Sequence, residues 1–206
     1  MRYIPLLTAV GLFALPGCND TPARLSQTTF NARTAAADAI SACDKNSDGK
    51  LDENELNAIP AIKSDFPQFD KDNNKSVDAN EIAERLEQSL ALKVALVPCS
   101  FVVKLDGKPL VDADVTLEPE NFLASTLQPC IGKTDSTGRV SPSKIASDGN
   151  GNNAGLTGVP PGLYKLKITH PKLEKLPQYH SETYLGLHVA PDNPNLMMLQ
   201  FELNSK

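Results

Sequence analysis

The sequence predicts an α+β chain in two domains, a small helical unit followed by an antiparallel β-sandwich. Two acidic twelve-residue segments lie close together in the first half, each bordered by apolar residues at helical spacing. From about Ala95 the helical period fades, and short β-rich runs alternate with Gly, Pro, Asn and Asp. A length of 206 residues with 5% aromatics, 16 prolines and no tryptophan suits two modest cores better than one large barrel. The formal charge of −5 provides no basic surface for phosphate backbones, which argues against a nucleic-acid partner.

At the N-terminus, Met1 and Arg2 precede an apolar run from Tyr3 to Leu15, and Pro16, Gly17 and Cys18 follow. Charge, apolar run and small residue in that order read as a signal peptide over residues 1–17. The run is too short for a permanent span, which takes about 20 residues. Gly17 followed by Cys18 resembles a bacterial lipoprotein box. That resemblance implies lipidation of Cys18 and a membrane-anchored lipoprotein of the cell envelope, facing the periplasm or the exterior. Residues 18–29, rich in Asp, Thr, Pro, Ser and Gln, read as a tether.

The helical unit spans residues 30–93 and holds the most specific chemistry in the chain. Asp44, Asn46, Asp48, Lys50, Asp52 and Glu55 stand at alternating and terminal places of one segment, with Gly49 at its sixth position. A hard dication takes six to eight oxygens, and alternate side chains of a tight loop supply them. The segment is similar to an EF-hand calcium loop, which implies side-chain ligation by Asp44, Asn46, Asp48 and Glu55, the carbonyl of Lys50, and a water-mediated contact from Asp52. Asp70, Asp72, Asn74, Ser76, Asp78 and Glu81 repeat the pattern, with Ser76 offering its carbonyl. Lys75 occupies the glycine position there, and a side chain at positive φ costs about 1 kcal/mol or more, so the second loop is expected to bind more weakly.

Leu51 and Val77 occupy matching positions that bridge the loops in paired EF-hands. Phe30, Ala37 and Ile40 suggest an entering helix over 29–43, and Ile82, Leu86 and Leu90 an exiting one. Pro60 and Pro67 keep the intervening helices short. This compactness resembles bacterial EF-hand and dockerin-type pairs, although dockerin loops end in Asp and both loops here end in Glu.

The remaining residues, 95–206, contain strand candidates at Cys99–Leu105, Asp114–Leu117, Leu163–Thr169, Thr183–Val189 and Leu196–Leu203. Asp106-Gly107-Lys108-Pro109-Leu110, Ala113 to Leu117, Gly132 to Asp135 with Gly138-Arg139, and Gly158 to Tyr164 together resemble a transthyretin-like, or carboxypeptidase regulatory-like, domain. The resemblance implies an accessory or adhesive sandwich rather than a catalyst. The C-terminus lacks the Tyr-Arg-Gly-Ser signature of the transthyretin relatives that hydrolyse hydroxyisourate. Tyr179, His180, Tyr184 and His188 lack the His-x-His spacing of intradiol dioxygenases. The three histidines read as surface or strand-end residues, and Asp148–Gly155, without a Glu at its twelfth place, as a flexible loop.

With Cys18 lipidated, three cysteines remain. Cys43 suits a small packing position. An oxidising envelope allows a Cys99–Cys130 disulfide, and the alternative is three buried thiols. The functional expectation is a non-enzymatic calcium-binding lipoprotein of the cell envelope, calcium ordering the helical unit and the sandwich meeting a protein or glycan partner. An enzyme accessory subunit and a dockerin-like docking module are the alternatives.

Overall fold

The computed structural model describes residues 27, 29–144 and 157–205, and in it the chain is a mixed α+β protein. The signal segment, Cys18 and the Asp148–Gly155 loop lie outside the described residues. No helix among the described residues is long and apolar enough to cross a membrane.

Helix α1 (Ala32–Cys43) starts where the Asn31 side chain accepts the Thr34 N–H at 3.0 Å. It buries Ala32, Ala35, Ala36 and Ala39, a stripe of small side chains that packs against α4 (Ala79–Ala91). Between them run β1 (Lys50–Leu51), a 3₁₀ turn (Glu55–Ala58), α2 (Pro60–Ser64), α3 (Phe66–Phe69) and β2 (Val77–Asp78). Pro60 and Pro67 stand in the first turns of α2 and α3, where a missing N–H costs no helical bond. The inner helices are accordingly short. β1 and β2 pair antiparallel, Leu51 opposite Val77, as the repeated pattern leads one to expect.

The later strands are β3 (Phe101–Leu105), β4 (Lys108–Pro109), β5 (Asp114–Pro119), β6 (Cys130–Lys133), β7 (Arg139–Val140), β8 (Ser143–Lys144), β9 (Gly162–Thr169), β10 (Gly186–Val189) and β11 (Leu199–Leu203). A five-stranded antiparallel sheet has the order β10-β9-β5-β6-β8. The second sheet has the order β11-β3-β4, with β7 also on β3. The expectation of wholly antiparallel pairing is corrected here: β11 runs parallel to β3, Leu199 opposite Phe101 and Leu203 opposite Leu105. The chain leaves β10 in one sheet and crosses to the other before β11, so it enters beside β3 in the same direction. The Ser100 N–H donates to the Leu196 carbonyl at 3.1 Å and fixes that entry.

Buried side chains form one cluster reaching from Ala32 to Leu203, so helices and strands share a core. The closest approach is at Gly186. A Cβ there would lie 2.2 Å from both the Ala61 nitrogen and the Pro60 carbonyl carbon, so only glycine lets α2 lie on β10. Val97 and Val159 exchange backbone hydrogen bonds of 2.8 and 3.0 Å, anchoring the segment that leads from α4 into β3.

Cys43 is buried. Cys99 and Cys130 are buried thiols in the structure, not the disulfide that the sequence allows. Burial pushes the Cys99 thiol up to about 12, with the neighbouring Cys130 adding to the rise, so it is a poor nucleophile.

Candidate metal centre

Both acidic loops close on themselves through their own backbone amides. In the first, Glu55 Oε1 accepts from the N–H groups of Lys45 and Asn46 at 2.8 and 3.2 Å, and Oε2 from Asp52 at 3.0 Å. Asp44 accepts from Ser47 at 2.6 Å and Gly49 at 2.9 Å. Asn46 accepts from Asp48, and Asp48 from Lys50, each at 2.9 Å. Asp52 Oδ1 accepts from Asn54 and Glu55 at 2.7 and 2.9 Å. Side chains of alternating residues are thereby turned inward.

The second loop repeats this wiring. Glu81 Oε1 accepts from Lys71 at 2.9 Å and Asp72 at 3.4 Å, and Oε2 from Asp78 at 2.9 Å. Asp70 accepts from Asn74 and Lys75 at 3.0 and 3.1 Å, and Asp72 from Asn74 at 3.0 Å. Asn74 Oδ1 accepts from the Ser76 N–H at 2.8 Å, and the Ser76 hydroxyl also donates to it. Asp78 accepts from Asn80 and Glu81 at 2.8 and 2.9 Å, forming with Glu81 the capping box of α4. The ninth and twelfth loop positions therefore serve two ends: they start a helix and orient carboxylates.

Backbone geometry follows the pattern position by position. Gly49 has φ +83°, and Lys75 at the matching place is driven to +68°, as the sequence foresees. Asp70, Asp72 and Glu81 each bring one carboxylate oxygen to within 4.8 Å of the others. Among the described residues no such trio forms in the first loop, whose third position is Asn46 rather than an acid. Lys50 and Ser76 stand beside the bridge, with Lys50 paired to Asp78. Glu55 and Asp70 are buried, while the remaining ligand candidates are partly or fully exposed.

Three buried titratable side chains lie where the helical segments meet the strands. His188, expected at a surface or strand end, is 1% exposed. Its Nδ1 lies 2.6 Å from Asp65 Oδ2, and its ring meets Phe69 with centroids 5.0 Å apart. Burial holds the imidazole below its ordinary value even though Asp65 acts the other way. Arg85 is 2% exposed and donates two hydrogen bonds of 2.8 and 2.9 Å to Asp192. Glu120 is buried, with one oxygen 3.4 Å from Lys165 Nζ, and burial lifts its carboxyl to about 7 against the pull of that ammonium. One signal was available in the sequence: Arg85 falls on the apolar stripe of α4 beside Ile82 and Leu86.

Compared with family models, curated proteins and solved structures, the chain has no match among any of them.

Proposed function

We propose that the chain is a non-enzymatic calcium-binding protein of the cell envelope, anchored by a lipid on Cys18. In this reading an EF-hand pair over residues 30–93 stands against a transthyretin-like β-sandwich over 95–206. The observation that carries it is the repeated wiring of two loops that differ at every position from the third to the eighth. Different side chains reach one inward arrangement of oxygens, which a shared ligand explains and a pair of surface turns does not require.

The donor set consists of carboxylates, an amide and backbone carbonyls, with no sulfur or imidazole, which fits a hard cation of calcium's kind. Bound in either loop, such an ion would offset the mutual repulsion of the carboxylates. The chain's own residues do the rest. Backbone amides fix the oxygens, Leu51 and Val77 hold the loops together, and α2 rests them on β10. Extracytoplasmic modules bind calcium at about 10⁻⁴ to 10⁻³ M, which suits a structural ion rather than a signalling one. The sandwich would then serve as the interaction module for a protein or glycan. The enclosure of His188 against Phe69 and Asp65 favours this binding reading over an enzyme accessory subunit with a site at Tyr184 and His188.

Calorimetric titration of calcium into the chain from Cys18 to Lys206, carrying Cys18→Ser, tests the proposal. Saturable binding that loses one component in Glu55→Ala and the other in Glu81→Ala is the expected result. No heat and no shift in melting temperature at about 1 mM calcium, the weak end of extracytoplasmic sites, would overturn it.

A further inference from the structure

The second loop is framed by two charged contacts to one stretch of sheet. On its entering side, Asp65 bonds His188, and Phe69, the residue before Asp70, packs on the same imidazole. On its exiting side, Arg85 stands one helical turn beyond Glu81 and grips Asp192 through both terminal nitrogens. His188 lies in β10 and Asp192 in the turn just after it. Both flanks of the loop are therefore tied to a single anchor. Among the described residues, no ion pair joins α1 or the Glu55–Ala58 turn to either sheet, so the first loop has no equivalent.

The tied loop is also the one that lacks its glycine, carries Lys75 at positive φ and gathers three carboxylate oxygens. We infer that Asp65, Arg85, His188 and Asp192 are positioning residues for the second calcium loop. The sheet sets the separation of the entering and exiting segments, so less ordering remains to be done when the ion arrives. Coupling of this kind is reciprocal: calcium in the second loop tightens the β10 anchor by the factor by which the anchor tightens calcium. Each of the two buried side chains hydrogen-bonds a single residue, because Arg85 Nε and His188 Nε2 have no hydrogen-bond partner among the described residues. The inference rests on the reading of both segments as calcium loops.

The test uses the full chain in detergent, with calcium alone as the probe and each loop read separately. Glu55→Gln isolates the second loop, and Glu81→Gln isolates the first. Asp192 is half exposed in its side chain, and Asp192→Asn removes the charge while keeping an oxygen that can accept from Arg85, with the melting temperature of each variant recorded alongside. Asp192→Asn and His188→Gln are expected to weaken the second loop about five-fold or more while leaving the first within about two-fold, and Asp192→Glu to retain affinity. Equal weakening of both loops, or no change in the second, overturns the positioning role. Absence of calcium binding in the Glu55→Gln chain itself is a different failure, since it removes the calcium reading of this loop and the inference with it.

Discussion

The first loop has the better local sequence and the second has the better support from the rest of the molecule. Gly49 adopts φ +83° at no steric cost, whereas Lys75 is held at +68° against its preference. Yet Asp70, Asp72 and Glu81 converge within 4.8 Å, and Asp65 and Arg85 tie that loop to β10 and the turn after it. Strain at one residue is tolerated where long-range contacts over-determine the backbone around it. A ranking of the two loops from their sequences alone therefore weighs only one of two terms.

Both loops share one base, the β1–β2 bridge. Leu51 is fully buried and pairs with Val77, so Leu51→Ala should cost about 3 kcal/mol of unfolding free energy and, on the proposed calcium reading, weaken binding at both loops. Denaturant titration measures the first effect and calorimetry the second. A next, smaller change acts through the sheet: Gly186→Ala forces a methyl into the backbone of Pro60 and Ala61 and should cost about 2 kcal/mol. Its denaturant midpoint should fall with the slope unchanged, because the unfolded chain exposes the same surface.

Exchanging the sixth residues sharpens the contrast directly. Gly49→Lys should destabilise by about 1 kcal/mol, and Lys75→Gly should lose little or gain slightly, since relief of strain and the larger unfolded-state entropy of glycine oppose each other. Melting temperatures of the two variants against the parent chain decide this. Equal effects at both positions would show that the sheet does not support Lys75.

The smallest effects are those of pH, and two buried groups, Glu120 and His188, act with opposite sign. Glu120 has its folded value raised to about 7 by burial, from 4.5, so its stabilising contribution is full below about pH 4.5 and is lost as pH rises towards 7. His188 is lowered from 6.5 by burial, so its contribution is full above about pH 6.5 and is lost as pH falls. Glu120→Gln should raise the melting temperature at neutral pH and flatten the decline on the alkaline side. His188→Gln should flatten the decline on the acid side. Thermal melts across this range, followed by circular dichroism, report both slopes.

Local features of the chain were legible where a short segment determines its own shape. The positive φ at residue 75 and the burial of Ile82 and Leu86 on α4 follow from local pattern, and the bridge between Leu51 and Val77 from the resemblance of the two loops to paired EF-hands. Strands β5 and β9 were legible too, because burial alternates along Asp114–Pro119 and from Tyr164 to Thr169. Two-residue strands such as β4, β7 and β8 carry no period to read. The ties at His188 and Asp192 span 123 and 107 residues, so no local pattern announces them. A histidine in a four-residue strand looks the same from sequence whether it meets water or Phe69.

The parallel pairing of β11 with β3 also bears on the order of assembly. The last strand of the chain must dock beside the first strand of its sheet, and the seat of α2 at Gly186 is likewise made late in synthesis. As the polypeptide emerges, the helices and both acidic loops are complete long before β10 and β11 exist. The contacts of α2 and Phe69 with β10 can therefore form only once the C-terminal part of the chain is present, which makes them late, long-range contacts.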